Sequence, residues 1–396
     1  MLHSEPPSAR PVIPAHRRSA AARRNERPMR IAVVTEFYYP HLGGICEHVH
    51  NFAREARLAG HHVDIITSNI DGAATERNVI RIGHSQSIYF NGAQARLTLG
   101  FGLRSTMRDV LRSGGYDVVH VHSPLNPSLP LLAIDTAECA VVGTFHTWFE
   151  KSHLFALARA PLQRRLDRMS AAIAVSHSTT LALSRYFEAD WKIIPNGVDL
   201  DAFRPAAPPP PGIRPDVPAF LFVGRLDPRN GLKTLIDAFR KISTSGRRAQ
   251  LVVVGDGPLR NYYRGLARRH PDITFTGALL DGRASYYAHA TAYACPTTKA
   301  SFGITLLESM ACATPVVCSD IAGFRDVVSH EREALMFPCG NVDALAESLV
   351  RILDDRELAL RLGESGRQTA TKYSWPSITQ RILDVYREVL DFRAAA

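Results

Sequence analysis

The stretch Cys295-Pro296-Thr297-Thr298-Lys299-Ala300-Ser301-Phe302-Gly303-Ile304-Thr305-Leu306-Leu307-Glu308-Ser309-Met310 decides how this chain is read. The apolar run Ala292 to Cys295 has the character of a buried strand and ends at a proline. A loop of small residues follows, and a helix opens near Gly303. The first amides of such a helix have no partner inside it and carry the positive end of its dipole. They form a seat for phosphate. Glu308 lies about a turn and a half further along the same helix, where a carboxylate can accept from a sugar hydroxyl. A nucleotide-sugar needs both groups. A plain loop leading into a core helix has the same local pattern, so the surrounding sequence must separate the two.

Outward from this stretch, short apolar strands alternate with helical segments. Strand-like runs before it are Ala219 to Val223, Gln250 to Val254 and Ile273 to Phe275, and Pro315 to Cys318 follows. Helices are expected from Leu232, Leu259, Gly282 and Gly303. The same alternation fills the first half. Its strands are Arg30 to Thr35, Val63 to Thr67, Asp117 to Val121, Ala140 to Thr144, Ala171 to Val175 and Trp191 to Ile194. Helices are expected over Leu154 to Met169 and Ser178 to Phe187. Such alternation requires parallel sheets with right-handed crossovers. Between the series lie the turn Pro195-Asn196-Gly197-Val198-Asp199 and the prolines 208 to 211, a stiff linker. The expected fold class is therefore α/β, with two doubly wound Rossmann-like domains and a cleft between them. Ligands of such sheets bind beyond the carboxyl ends of the strands. The expected boundaries are a tail over 1–28, a domain over 29–195, a linker over 196–217, a second domain over 218–375 and a helical end over 376–396.

Composition narrows the classes. In 396 residues, 45% hydrophobic and 21% charged content suits two well-packed domains. No apolar run reaches the roughly 18 residues of a membrane span, and the N-terminus has no apolar signal region. The six cysteines are scattered without C-x-x-C spacing, which fits reduced thiols in the cytoplasm better than disulfides or zinc. The net charge of +9 comes partly from Arg10, Arg17, Arg18, Arg23, Arg24 and Arg27. That proline-rich tail is expected to be disordered. Anionic lipid could attract it, but a solvated extension is the simpler reading, and no motif points to nucleic acid.

The motifs in order spell a family. They are Gly43-Gly44 before the first helix, Gly143-Thr144-Phe145-His146, Ile194-Pro195-Asn196-Gly197-Val198-Asp199, Val223-Gly224-Arg225-Leu226, Val254-Gly255-Asp256-Gly257-Pro258, and Ser301-Phe302-Gly303-Ile304 leading to Glu308. From about Met29 to Val389 the chain resembles GT-B retaining glycosyltransferases of family 4, the group that includes bacterial phosphatidylinositol mannosyltransferases. The resemblance implies an N-terminal acceptor domain, a C-terminal donor domain and a last helix that crosses back to the first domain.

It also implies roles. Gly43 and Gly44 would face the donor diphosphate. Arg225, at the end of its strand, would clamp the pyrophosphate and stabilise the leaving group. Ser301, Phe302, Gly303 and Ile304 would seat the donor, and Glu308 would hold its ribose. The family usually has a lysine where Asn230 stands, with Arg229 and Lys233 as neighbouring cations. It usually has a glutamate where Ala300 stands. His122 ends a strand, and alternation points it the same way as His120. The resemblance assigns it, with His146 as a weaker candidate, to the transferred sugar and acceptor. Asn91 and Arg96 resemble the acceptor-binding segment. Arg104, Arg108 and Arg112 recur every fourth residue beside Leu103, Met107 and Leu111. That helix suits either an anionic membrane surface or an ordinary exposed face.

The expected function is retaining transfer of a hexose, mannose first, from a nucleotide diphosphate sugar to a phosphatidylinositol-type or glycolipid headgroup. Transfer from a UDP-sugar to a soluble or lipid-linked saccharide is the enzymatic alternative, and a non-catalytic nucleotide-sugar-binding protein is the other class. No cofactor is expected, and no metal, since no Asp-x-Asp follows a strand. The expected place is the cytoplasm, in peripheral contact with the inner face of the cell membrane.

Overall fold

A computed structural model describes residues 27–40, 43–73, 75–90, 93–147, 152–206, 208–279 and 281–395. Most of the basic tail and Asn91 lie outside the described residues. In the first half the strands are β1 (Arg30–Val34), β2 (His62–Asn69), β3 (Val79–Phe90), β4 (Ala93–Leu99), β5 (Val118–His122), β6 (Ala140–Phe145), β7 (Ala171–Ala174) and β8 (Trp191–Ile193). They form one sheet in the order β4-β3-β2-β1-β5-β6-β7-β8, parallel except for the β3–β4 pair. Between them run α1 (Gly44–Leu58), α2 (Leu103–Gly114), α3 (Leu129–Thr136), α4 (His153–Leu157), α5 (Arg159–Leu166) and α6 (His177–Leu183).

The second half repeats the plan with β9 (Ala219–Val223), β10 (Gln250–Val254), β11 (Ile273–Gly277), β12 (Ala292–Cys295), β13 (Val316–Ser319) and β14 (Ala334–Phe337). Its order is β11-β10-β9-β12-β13-β14, with every pair parallel. Its helices are α7 (Leu232–Thr244), α8 (Arg260–Ala267), α9 (Arg283–His289), α10 (Ile304–Ala311), α11 (Ala322–Arg325), α12 (Val342–Asp354) and α13 (Arg356–Ala370). The last helix, α14 (Trp375–Ala395), belongs by packing to the first half. Ile378, Ile382, Tyr386 and Val389, three or four residues apart, are buried in the core that β1 and α1 build. Both sheets are buried on both faces, which is why their strands read as continuous apolar runs.

Three features differ from the sequence expectation. The β3–β4 pair forms the sheet edge, where Ser, Gln and His residues are tolerated and the apolar signal fades. β14 is four residues long and follows an irregular stretch. The helix expected over Leu154 to Met169 breaks at Ala158, because Pro161 suits the first turn of a new helix and not the interior of an old one.

The chain crosses between halves twice, and the crossings touch. The Val198 amide donates to the Tyr373 carbonyl at 2.8 Å, and the Trp375 amide to the Val198 carbonyl at 3.3 Å.

Candidate active site

Each sheet reverses its strand order once. In the first half the switch falls between β1 and β5, and in the second between β9 and β12. Loops leaving adjacent strands at a switch point diverge to opposite faces and open a crevice at the carboxyl ends. Gly43, Gly44 and His122 lie at the first switch. Arg225, Arg229, Asn230 and Ser301 to Ile304 lie at the second.

At the second switch the two loops are stitched together. The Thr298 amide and hydroxyl donate to the Arg229 carbonyl at 2.8 and 3.1 Å. Gly231 is held at φ +71°, and a Cβ there would lie 2.0 Å from the Pro296 carbonyl oxygen, so only glycine fits. Asp227 caps the short turn by accepting from the Asn230 amide at 3.1 Å. The Asn230 side chain donates to the Arg225 carbonyl at 2.8 Å. Its amide thus holds the loop that presents the exposed Arg225. Arg229 is also exposed, whereas Lys233 pairs with Asp237 one helical turn away at 2.6 Å.

The starts of α1 and α10 meet across the crevice. A Cβ on Gly44 would lie 2.9 Å from Cδ1 of Ile304. Gly43 and Gly303 are the N-caps, and neither cap makes a side-chain bond to the first amides. Two positive dipole ends therefore converge beside the Arg225 loop, an electrostatic setting for a diphosphate. Phe302 is buried, and the Ser301 carbonyl accepts from the hydroxyls of Ser176 and Ser178 in the first half, at 2.6 and 3.2 Å.

Glu308 is buried one turn into α10. Its Oε1 accepts from Nε and Nη2 of Arg283 at 3.2 and 2.8 Å, and its Oε2 from the Tyr287 hydroxyl at 2.9 Å. Nη2 of Arg283 also lies 3.5 Å from Oε1 of Glu47 on α1. Glu308, then Glu47, hold the Arg283 guanidinium firmly protonated. Nothing in the sequence signals Arg283 or Tyr287, because their tie to Glu308 spans more than twenty residues and has no fixed spacing.

His122 is fully buried, so it lies beneath the cleft surface and not at an open edge. His120 does point the same way, with ring centroids 4.4 Å apart. His122 Nδ1 lies 2.9 Å from His146 Nε2, and His48 Nδ1 lies 2.8 Å from Asn196 Oδ1. The His48 ring stands 5.2 and 5.0 Å from those of His122 and His146. His120 bonds Thr144 through Nε2 and Tyr386 through Nδ1. Burial lowers the basicity of all four, reinforced by repulsion from neighbouring histidines at His120, His122 and His146 and partly offset at His48 by its bond to Asn196; His48 falls to about 4 and His120 to about 3. They are neutral at physiological pH. Nε2 of His122 and Nε2 of His48 have no hydrogen-bond partner among the described residues. Among those residues no group of three His, Cys, Asp or Glu side chains could hold a metal ion.

A family model described as glycosyl transferases group 1 matches residues 203–369, and one described as glycosyltransferase family 4 matches residues 42–202. The phosphatidyl-myo-inositol mannosyltransferase of Mycobacterium tuberculosis is 33% identical over 368 residues, covering 91% of this chain and 97% of that protein. The protein of that name from Propionibacterium freudenreichii is 30% identical over 372 residues, covering 90% and 94%. This chain belongs to glycosyltransferase family 4. A glycosyltransferase of Rickettsia africae superimposes with a TM-score of 0.74 at 18% identity, covering 92% of this chain and 99% of that one. Anabaena Alr3699/HepE, solved in complex with UDP and glucose, superimposes at 0.73 with 19% identity, covering 90% and 98%. At such identities the likeness is one of fold. The architecture is GT-B, as expected, and the protein is a hexosyltransferase.

In the first half of this glycosyltransferase, Arg96 donates to Ser85 Oγ at 3.0 Å, and its carbonyl accepts from Asn126 Nδ2 at 3.3 Å. Arg96 Nε, Asn126 Oδ1 and Ser123 Oγ are buried without partners among the described residues. Ser123, next to His122, adopts φ +54°, an uncommon conformation for a non-glycine residue. The expected helix with Arg104, Arg108 and Arg112 is α2. Its apolar side faces inward, since Met107 and Leu111 are buried and Leu103 packs on the same core. That stripe is therefore not free for a membrane. Arg112 pairs with Glu138 at 2.5 Å, and Arg104 is exposed. Two exposed apolar side chains, Leu99 and Phe101, lie just before α2. No helix among the described residues is long and apolar enough to cross a membrane.

Proposed function

We propose that this glycosyltransferase moves mannose, with retention of configuration, from a nucleotide diphosphate sugar to the headgroup of a phosphatidylinositol-type lipid. The observation that carries the proposal is the meeting of the α1 and α10 tips at the two switch points, beside Arg225 and one turn from Glu308. The donor diphosphate sits beside the two helix starts, Arg225 draws off the charge that develops on it, and Glu308 accepts from the ribose. The leaving phosphate takes the proton of the incoming hydroxyl on the same face of the sugar, so no protein nucleophile is needed. The chain's work is to position reactants and stabilise the leaving group. Neutral His122 offers its unpartnered Nε2 to a sugar hydroxyl as the cleft rearranges around substrate. Arg96, Asn126 and Ser123 supply the polar groups for the acceptor. Phe101 and Leu99, flanked by Arg104 and Arg108, lay this edge on an anionic bilayer. The relatives' names support the lipid acceptor, including that of a 27% identical GDP-mannose-dependent alpha-(1-6)-phosphatidylinositol monomannoside mannosyltransferase.

The test is incubation with GDP-mannose, UDP-glucose and UDP-N-acetylglucosamine, each with phosphatidylinositol vesicles, followed by mass and anomeric analysis of the lipid. An α-mannosyl lipid formed from GDP-mannose is expected. Saturable donor binding with neither transfer nor hydrolysis would leave a binding protein and refute the proposal.

A further inference from the structure

The carboxylate proposed for the ribose is engaged on both oxygens, and one of its partners reaches the opposite domain. Arg283 opens α9, and its side chain is 18% exposed, against 5% for Glu308 and 23% for Glu47. Its guanidinium lies 5.4 Å over the Phe203 ring, close to the crossing between halves. One cation is thus shared between two carboxylates in a setting where water screens little. Its contact to Glu308 is closer, at 2.8 Å, than its contact to Glu47, at 3.5 Å.

The two carboxylates belong to docked helix faces. Gly44 and Glu47 are three residues apart on α1, and Ile304 and Glu308 are four apart on α10, so each pair shares a face. Gly44 meets Ile304 directly, and Glu47 meets Glu308 through Arg283. The domains therefore dock at two points: an apolar contact at the helix tips and an ionic contact one turn in.

We propose that Arg283 is a positioning residue that couples occupation of the ribose subsite to domain closure through Glu47. The inference rests on the reading of Glu308 as the ribose acceptor. When ribose hydroxyls donate to Glu308, they take lone pairs that Arg283 now uses. The guanidinium keeps its charge, and Glu47 is the second carboxylate within its reach. Its pairing shifts toward Glu47, which tightens the existing 3.5 Å contact and holds α1 over the loaded donor. With the subsite empty, Arg283 favours Glu308, and its contact to Glu47, which docks the domains, is the weaker of the two.

The test uses the full chain with GDP and with UDP, which share the ribose diphosphate. Affinity is read by calorimetry and closure by small-angle scattering, for wild type, Glu47→Gln, Arg283→Gln and the double variant. The wild type is expected to contract on binding either nucleotide. Glu47→Gln is expected to bind about fivefold more weakly and not to contract. Adding Arg283→Gln to Glu47→Gln should cost less affinity than Arg283→Gln alone. Should Arg283→Gln fail to fold, Arg283→Lys, which keeps the charge but loses the fork, runs the same cycle. A tie that is merely structural would lower melting temperature and leave the affinity of Glu47→Gln at the wild-type value; that result, or strictly additive losses, overturns the coupling. Glu308→Gln separates the two readings. If it leaves nucleotide affinity unchanged, or if the wild type binds neither nucleotide, the ribose assignment fails and the coupling falls with it.

Discussion

Acid should unfold this protein through its buried histidines. His48, His120, His122 and His146 are packed where α1, the crossing at Asn196 and the returning helix α14 meet. In the unfolded chain each takes a proton near pH 6.5. In the folded chain His48 waits until about 4 and His120 until about 3, because burial penalises the imidazolium. The folded state binds fewer protons, so stability is fully present above the unfolded value and is lost as pH falls below 6.5. Integrated from pH 8 to pH 5, each of these two histidines costs about 2 kcal/mol, or about 4 kcal/mol for the pair. His122 and His146 are displaced in the same direction and add to the loss. A domain of ordinary stability, about 5 to 15 kcal/mol, is brought near its limit. The assay is urea unfolding at pH 8, 6.5, 5.5 and 5, with His120→Gln run in parallel. Carboxylates titrating in this range act alike in both proteins, so the difference in slope isolates one histidine. Near pH 5.5 the variant should lose about 1.2 kcal/mol per pH unit of the dependence. Equal slopes, or a wild-type stability that changes by less than about 1 kcal/mol between pH 8 and pH 5, would refute a neutral buried cluster.

Two further outcomes follow from the crevice. Arg225→Ala should lower turnover by about a hundredfold or more while leaving the melting temperature unchanged, since the side chain is exposed and its loop is held by backbone and Asn230 contacts; steady-state kinetics and calorimetry check it. Gly44→Val should push the α1 tip off Ile304, which already lies 2.9 Å from a single added carbon, and lower turnover about tenfold, with Ile304→Ala in the same chain restoring part of the loss.

The legible parts of this molecule are those where local pattern and tertiary role agree. The inner strands show as apolar runs because both faces are covered, and the two βα series fix the two switch points. Gly43, Gly44, Arg225 and Ser301 to Ile304 could be placed at the crevice from sequence because a loop at the carboxyl end of a strand occupies a known place in such sheets. The β3–β4 edge was not legible, since a half-exposed antiparallel pair lacks the continuous apolar signature. The direction of the α2 stripe was not legible either: Leu103, Met107 and Leu111 give the same spacing whether they face a core or a bilayer. Arg283, Tyr287, Glu47 and His48 matter through contacts between distant segments, and no short window of sequence contains such a pair.

The substitution at Asn230 bears on whether the donor site is a working one. A lysine in that place would bring a second cation to the proposed diphosphate seat. The asparagine instead spends its amide on the Arg225 carbonyl, while its own backbone amide is capped by Asp227. A lost charge has thus been exchanged for a bond that fixes the loop carrying the remaining arginine. Ala300, the other departure, leaves its carbonyl packed against Gly323, where a Cβ would come within 2.1 Å, beside a cavity of about 210 Å³ lined in part by Thr298, Lys299 and Ala300. Around both departures the loops remain tightly bonded, as expected of a site kept for use. Asn230→Lys distinguishes the two roles of the position. If charge alone limits the site, the added cation raises donor affinity and turnover together. If the amide matters for holding Arg225, affinity for nucleoside diphosphate rises on simple attraction while turnover falls severalfold, because the arginine that meets the developing charge is less well placed. The geometry favours the second outcome, and a parallel rise in both quantities would refute it.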